Sequence, residues 1–403
     1  RSCRARQSRD EAARMSMSVS ERFGDWVARH PGSVIGRAAA LRLGLPRRDD
    51  LAQVATAPDT AVRVLIGPAN FAGQATLWAR ALESRFPGVG ARSFATKSAF
   101  GFPADALVAP RVFQNSRTWQ RAQAAAATGF THLLVESMVP PFGRLAGRDL
   151  QRQLRLLGSG PRVAFVLHGT DVRSARRPVE QLTAGERQAD RIAARKRVLL
   201  AGSDGPAFVT TPDLLDDVPQ AVWLPVVIDV DSWARPDAHA ASAAMRVVHV
   251  PSSSAIKGTA TITPAAQALH DAGAIDYRPA SGVSHADMAG ILRTADVVLD
   301  QFVLGSYGVA ACEAMAAGAV VVGHVSRPVR DRVLAATGHE LPIVEATPDT
   351  LSGVLRRLAD DADARARIAS DGLAFVREVH DGRMSADIIA RAWITESSPG
   401  STT

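Results

Sequence analysis

Residues 295–323, ADVVLDQFVLGSYGVAACEAMAAGAVVVG, leave this chain few ways to fold. The apolar run 297–299 has the length and composition of a buried strand. A polar loop with Gly305 and Gly308 then leads into small residues, whose spacing predicts a helix over 309–317 stopped by Gly318. A second apolar run, 319–322, supplies another strand. Strand, glycine loop, helix and strand make one parallel βαβ unit, and the free N–H groups where its helix begins form a ready anion site. Ala310, Ala311, Ala314, Ala316 and Ala317 keep this helix thin, and Glu313 is its one charge. In an ordinary crossover helix that glutamate would simply face solvent.

The same grammar recurs upstream. Residues 62–66 (VRVLI) read as a first strand, followed by a loop with Gly67 and Gly73 and a helix running through Leu82. Asn70 and Gln74 lie in or beside that loop. Residues 132–135 form a further strand, 154–157 end a helix, and 162–167 (RVAFVL) suit a central parallel strand. That last strand runs straight into His168-Gly169-Thr170-Asp171-Val172-Arg173, and ligands of open α/β sheets bind beyond the carboxyl ends of strands. Residues 198–200 and 207–210 read as short strands, with Thr211-Pro212 as a helix start. Asp229-Val230-Asp231 has the outline of an Asp-x-Asp metal motif but the wrong flanks, so no metal site is assigned.

A new strand is predicted at 246–250, followed by PSSSAIKGT and a helix through Ala272. Only Lys97, Lys196 and Lys257 among the 47 basic residues are lysines, which makes Lys257-Gly258, directly after a strand, conspicuous. Ser252 and Ser253 in this loop can hold phosphate through hydroxyl and backbone N–H groups. Ser284 and Asp287 form a capping-box-like helix start in which His285 reads as a surface residue. Beyond Gly323 the pattern alternates helix and loop, with helices over 329–337, 350–358, 362–376 and 385–394.

At 403 residues the chain can bury two cores. The expected division is an N-terminal extension over 1–60, one domain over 61–230, a linker over 231–245, and a second domain over 246–378. A C-terminal helix over 379–397 and a tail over 398–403 complete it. The opening residues lack the apolar core of a secretory signal, and Met15 or Met17 could be the true start. No apolar run reaches the length of a membrane span. Cys3 and Cys312 form no disulfide framework, which fits a cytoplasmic protein. The net charge of +7 suits nucleic acid, anionic lipid or phosphorylated small molecules. With 5% aromatics, no interleaved basic run and no zinc spacing, nucleic acid is not expected, while peripheral membrane contact stays open.

The run Gly305-Ser306-Tyr307-Gly308-Val309, followed by Glu313-Ala314-Met315-Ala316-Ala317-Gly318, resembles the nucleotide-sugar motif of GT-B glycosyltransferases, in particular glycosyltransferase family 4. That family's pattern is Glu–Gly–Phe–Gly–Leu–x–x–x–Glu–Ala–Met–Ala–x–Gly; its first glutamate, a donor-sugar contact, is replaced here by Gly305. Lys257-Gly258 resembles the family's diphosphate-binding Lys-Gly, although the arginine usually found ahead of it is absent and Arg327 is the candidate second cation. HGTDVR resembles the segment whose histidine faces the donor sugar. The resemblance implies an α/β, GT-B fold, with two Rossmann-like doubly wound domains facing an interdomain cleft. It also implies retaining, metal-independent transfer from a nucleotide-diphosphate sugar, which is substrate rather than cofactor, to an unidentified acceptor. By the same resemblance His168, Lys257 and Glu313 would be catalytic, and Ser252, Ser253, Gly258, Gly305, Ser306, Tyr307, Gly308 and Val309 would line the nucleotide site. Gly67, Asn70, Gly73 and Gln74 would face the acceptor. Two alternatives are a nucleotide-sugar epimerase, with Glu136 and Asp171 as its acid and base, and a non-catalytic scaffold retaining the fold.

Overall fold

A computed structural model of the chain describes residues 54–97, 101–235, 244–251 and 253–395. Nearly all of the expected N-terminal extension, the tail, part of the linker and Ser252 lie outside these residues.

Two wholly parallel sheets organise the described chain. The first contains β1 (Val62–Gly67), β2 (Val89–Thr96), β3 (Ala106–Val108), β4 (His132–Glu136), β5 (Arg162–Leu167), β6 (Ala207–Val209) and β7 (Val222–Trp223). Their order is β3-β2-β1-β4-β5-β6-β7, so the chain winds outward from β1 and then returns to β4 on its other side. The second contains β8 (Arg246–His249), β9 (Asp276–Pro279), β10 (Val297–Leu299), β11 (Val320–Gly323) and β12 (Ile343–Glu345), ordered β12-β11-β10-β8-β9. Each sheet therefore has one topological switch point, β1/β4 in the first and β8/β10 in the second. Crevices for ligands open at such points, because the loops leaving the two strands diverge there.

The two halves are joined by buried side chains as well as by the chain. One apolar cluster runs from Phe165, Val226 and Trp233 into Tyr307, Ala311 and Met315. After the helix Ala362–Val379 the chain returns to the first half, where the helix Arg383–Ile389 packs on the helix Gln74–Arg85. Ala386, Ile389 and Trp393 are buried there with Val64, Ile66 and Trp78.

Several local expectations differ from the structure. Residues 198–200 are not a strand; they form the last turn of the helix Ala184–Ala201, which begins with a Thr183/Glu186 capping box. A three-residue apolar run has no period that separates strand from helix. Strands β2, β3, β9 and β12 escaped notice because polar residues interrupt them or because they are three residues long, as in VGARSFAT and DYRP. The helix expected after β8 is two, Ser254–Lys257 and Thr259–Asp271, separated by Gly258 at φ +76°.

Candidate active site at the seam

The switch point of the second sheet gathers the charged groups. Lys257 closes the short helix Ser254–Lys257, and Gly258 then turns the chain in a left-handed conformation. A Cβ on Gly258 would sit 3.2 Å from Val303 and 3.3 Å from Phe302, so both backbone angle and space call for glycine. The turn directs the Lys257 ammonium onto the carboxylate of Asp300, the residue that follows β10, and both side chains are mostly buried. His249, at the end of β8, donates Nδ1–H to the Leu299 carbonyl (2.8 Å) and accepts the Thr259 hydroxyl at Nε2 (2.8 Å). Burial lowers its pKa, so a neutral imidazole ties β8, β10 and the next helix together beneath the ion pair.

Glu313 is buried on the helix Val309–Ala316. Burial lifts its pKa to about 8; Lys257 pulls it down and Asp300 pushes it up, so the three groups share one electrostatic neighbourhood. No side chain caps the start of this helix, where Gly308 is extended. A Cβ there would meet nothing within 4 Å, so the backbone at the helix start is open. Gly305 is held at φ +66°, with Ser326 Cβ 3.3 Å and His324 Nε2 3.5 Å from where its own Cβ would lie. Ser306 is buried close to Asp213 of the first half, off hydrogen-bonding geometry. Burial works to raise the Asp213 pKa, but Arg173, 2.8 Å away, together with Ser306 and Thr211 outweighs it and the carboxyl ends below its usual range. Tyr307 is buried with its hydroxyl engaged by His380.

Arg327, the candidate second cation, follows Ser326, which lies against Gly305. It lies on the surface of the helix Arg327–Thr337, paired with Asp331 at 2.8 Å and 83% exposed.

At the first switch point the acceptor-side residues are engaged in structure. Gln74 is fully buried, its Nε2 donating to the Val227 carbonyl (3.0 Å) and its Oε1 accepting the Val227 N–H (2.7 Å). Asn70 donates Nδ2–H to Pro103 O at 2.7 Å and accepts Thr76 N–H at 3.4 Å. Neither amide is presented to a ligand. Gly67 is a close-packing residue, since a Cβ would fall 2.4 Å from the Phe94 carbonyl oxygen. Glu136, at the end of β4, accepts the N–H groups of Ala69 (2.9 Å), Asn70 (2.6 Å) and Phe71 (3.3 Å), fixing this loop. His168 Nε2 stands 3.3 Å from Glu136 Oε1 off hydrogen-bonding geometry, and its ring lies between Phe71 (5.0 Å) and Trp78 (5.9 Å). The imidazole is 4% exposed and stacks against Phe71, which is 56% exposed.

Among the contacts between the halves, one beside Glu313 was not legible in the sequence. His285 is not an isolated surface residue: its ring meets Phe102 of the first half (4.7 Å) and Trp233 (5.5 Å), and Nδ1 lies 4.0 Å from Glu313 Oε1. Phe102 also lies 3.4 Å from a Cβ placed on Gly73. Gly73 and Glu313 are thus linked across the seam through two rings. Asp300 and His249 were missed as well, although their places at the ends of β10 and β8 offered a signal; Phe102 and His285 carry no such signal.

No protein-family model and no curated protein sequence matches this chain. Solved structures do. Sucrose-phosphate synthase from Thermosynechococcus elongatus superposes with a TM-score of 0.57 at 13% identity, covering 83% of this chain and 98% of that one. HepE from Anabaena in complex with UDP-glucose gives 0.53 at 14%, covering 81% and 99%. WaaG, a glycosyltransferase involved in lipopolysaccharide biosynthesis, gives 0.50 at 12%, covering 82% and 99%. At these identities the likeness is one of fold, and the fold is GT-B: two Rossmann-like parallel sheets, each presenting its switch point to a shared cleft.

Proposed function

We propose that this chain is a glycosyltransferase that takes a sugar from a nucleoside-diphosphate donor and passes it to an acceptor, with retention and without a metal ion. The observation that carries this reading is the meeting of Lys257, Asp300 and Glu313 at the switch point of the second sheet, beside the uncapped helix start at Gly308. A departing nucleoside diphosphate gains negative charge. The Lys257 ammonium has three donors, of which Asp300 needs one, and the N–H groups near Gly308 add a fixed positive field. A charged hydrogen bond of this kind contributes ~1.5–3 kcal/mol.

Glu313 would accept the ribose hydroxyls. A diol binds an ionised carboxylate best, so donor binding would draw the proton from the raised carboxyl. His168 would meet the sugar. HepE, crystallised with UDP-glucose, has the same fold, and this supports a uridine-nucleotide donor. The epimerase alternative loses ground because both carboxylates it needs are engaged: Glu136 by three N–H groups, and Asp171 by those of His168 and Gly169.

The test is calorimetric titration of UDP, GDP and UDP-glucose into the wild-type chain, Lys257→Met and Glu313→Gln. Each substitution is expected to weaken nucleotide binding roughly tenfold or more; unchanged affinity in both would refute the site. Turnover of a donor panel, the anomer released and the rate in chelator then test transfer, retention and metal independence.

A further inference from the structure

The helix Ala184–Ala201 presents a face that its own fold leaves uncovered. Ala193 and Leu200 point into the core. Lys196 and Arg197 also turn inward, donating to the carbonyls of Ser137 (2.8 Å) and Val172 (2.5 Å). On the opposite side Ile192, Val198 and Leu199 are 44%, 74% and 46% exposed, interleaved with exposed Arg191 and Arg195. Positions 191, 192, 195, 198 and 199 recur at helical spacing and form one strip. The helix Leu150–Arg155, in the crossover before β5, belongs to the same layer, since β4 to β5 and β5 to β6 step the same way across the sheet. It exposes Arg152, Arg155 and, just beyond its end, Leu156.

Near the strip itself, Glu186 is held by its cap and by Arg177 and Asp190 accepts the Ala175 N–H; in the adjoining helix Asp149 caps its own helix and pairs with Arg152, leaving Arg155 beside Leu156.

We propose that this strip is a docking surface for an anionic lipid bilayer, with Ile192, Val198 and Leu199 entering the headgroup region and Arg191 and Arg195 on lipid phosphates. Aliphatic side chains alternating with guanidinium groups on one helix face match a surface that is negative outside and apolar just beneath. A second copy of the chain fits worse, because a two-fold contact through the strip would oppose arginine to arginine.

Residues 1–53 are themselves arginine-rich, so the test must report on the strip itself. The full chain would be floated with phosphatidylcholine vesicles with or without ~30 mol% phosphatidylglycerol, as wild type, as Arg191→Glu/Arg195→Glu and as Val198→Ser/Leu199→Ser. Binding is expected only with the anionic lipid and to fall roughly tenfold or more in each double variant. Circular dichroism should be unchanged, because these side chains are exposed. In a Cys3→Ser chain, an environment-sensitive probe on Val198→Cys should shift to the blue and be quenched by lipid-borne nitroxide. Double variants that bind like wild type, or a probe that is not quenched, would overturn the proposal. So would variants that instead shift a monomer–dimer equilibrium without vesicles, which would assign the strip to a second copy.

Discussion

Tyr307 donates its hydroxyl to Nε2 of His380 at 3.3 Å, while Nδ1–H of the same imidazole donates to the Val226 carbonyl at 2.7 Å. The His380 carbonyl in turn accepts Ile228 N–H at 2.7 Å. One ring thus ties together the loop before the helix Val309–Ala316, the segment leaving the first half and the segment returning to it. The arrangement requires a neutral imidazole with its proton on Nδ1, and burial lowers the His380 pKa to about 4.

Acid should therefore loosen the seam. His132, buried against Trp393, is likewise lowered to about 4, by burial and then by Arg162. A histidine depressed in the folded state contributes stability that is present above its unfolded pKa of 6.5 and lost as pH falls toward 4. Together the two should remove up to about 2.7 kcal/mol per pH unit across that window. Urea midpoints measured from pH 7 to 4 should show this slope, and His380→Gln should reduce it by about half; a flat profile would contradict the buried neutral pair.

Glu313 works in the opposite direction. Raised from 4.5 to about 8, its carboxyl contributes stability that is complete below 4.5 and lost as pH rises toward 8. The Glu313→Gln chain should lose this fall and match or exceed the wild type at pH 8 in thermal midpoint. If the ionised form holds the ribose, nucleotide binding at pH 7 should release close to one proton, measured as the dependence of binding enthalpy on buffer ionisation. Binding without proton release would detach Glu313 from the nucleotide.

At position 305, where the motif that this stretch resembles has glutamate, the structure holds a left-handed glycine. Its left-handed backbone and the atoms 3.3–3.5 Å from a would-be Cβ leave little room for a side chain. Restoring glutamate by Gly305→Glu is expected to cost about 1–3 kcal/mol and not to raise transfer. A gain in turnover with unchanged stability would show that the loop can accept the family's residue.

What could be read from the sequence was local and periodic. The βαβ unit over 295–323 and the strands at 62–66 and 162–167 carry their apolar runs openly, and Lys257-Gly258 stood out because lysine is rare in this chain. What could not be read was the destination of side chains. Gln74 looks like a ligand contact in the sequence, but its amide is matched across the core by Val227, 153 residues away. His285 and Phe102 meet only because two sheets face each other. Residues 198–200 read as a strand, although they complete the helix that carries the exposed arginine and aliphatic strip.

The pairing of Lys257 with Asp300 allows stability and binding to be separated. Lys257→Met alone leaves the mostly buried Asp300 carboxylate unpaired, and losing one partner of a buried pair costs about 3–5 kcal/mol. Asp300→Asn alone strands the ammonium in the same way. The double variant Lys257→Met/Asp300→Asn removes both charges and should recover most of the lost stability, so that the two single costs are strongly non-additive in chemical denaturation. Nucleotide affinity should not recover, because the diphosphate's cation is gone; Asp300→Asn alone should retain it more nearly than either variant lacking the lysine. If affinity followed stability through all three variants, Lys257 would be a structural residue and the site would have to be sought elsewhere along the seam.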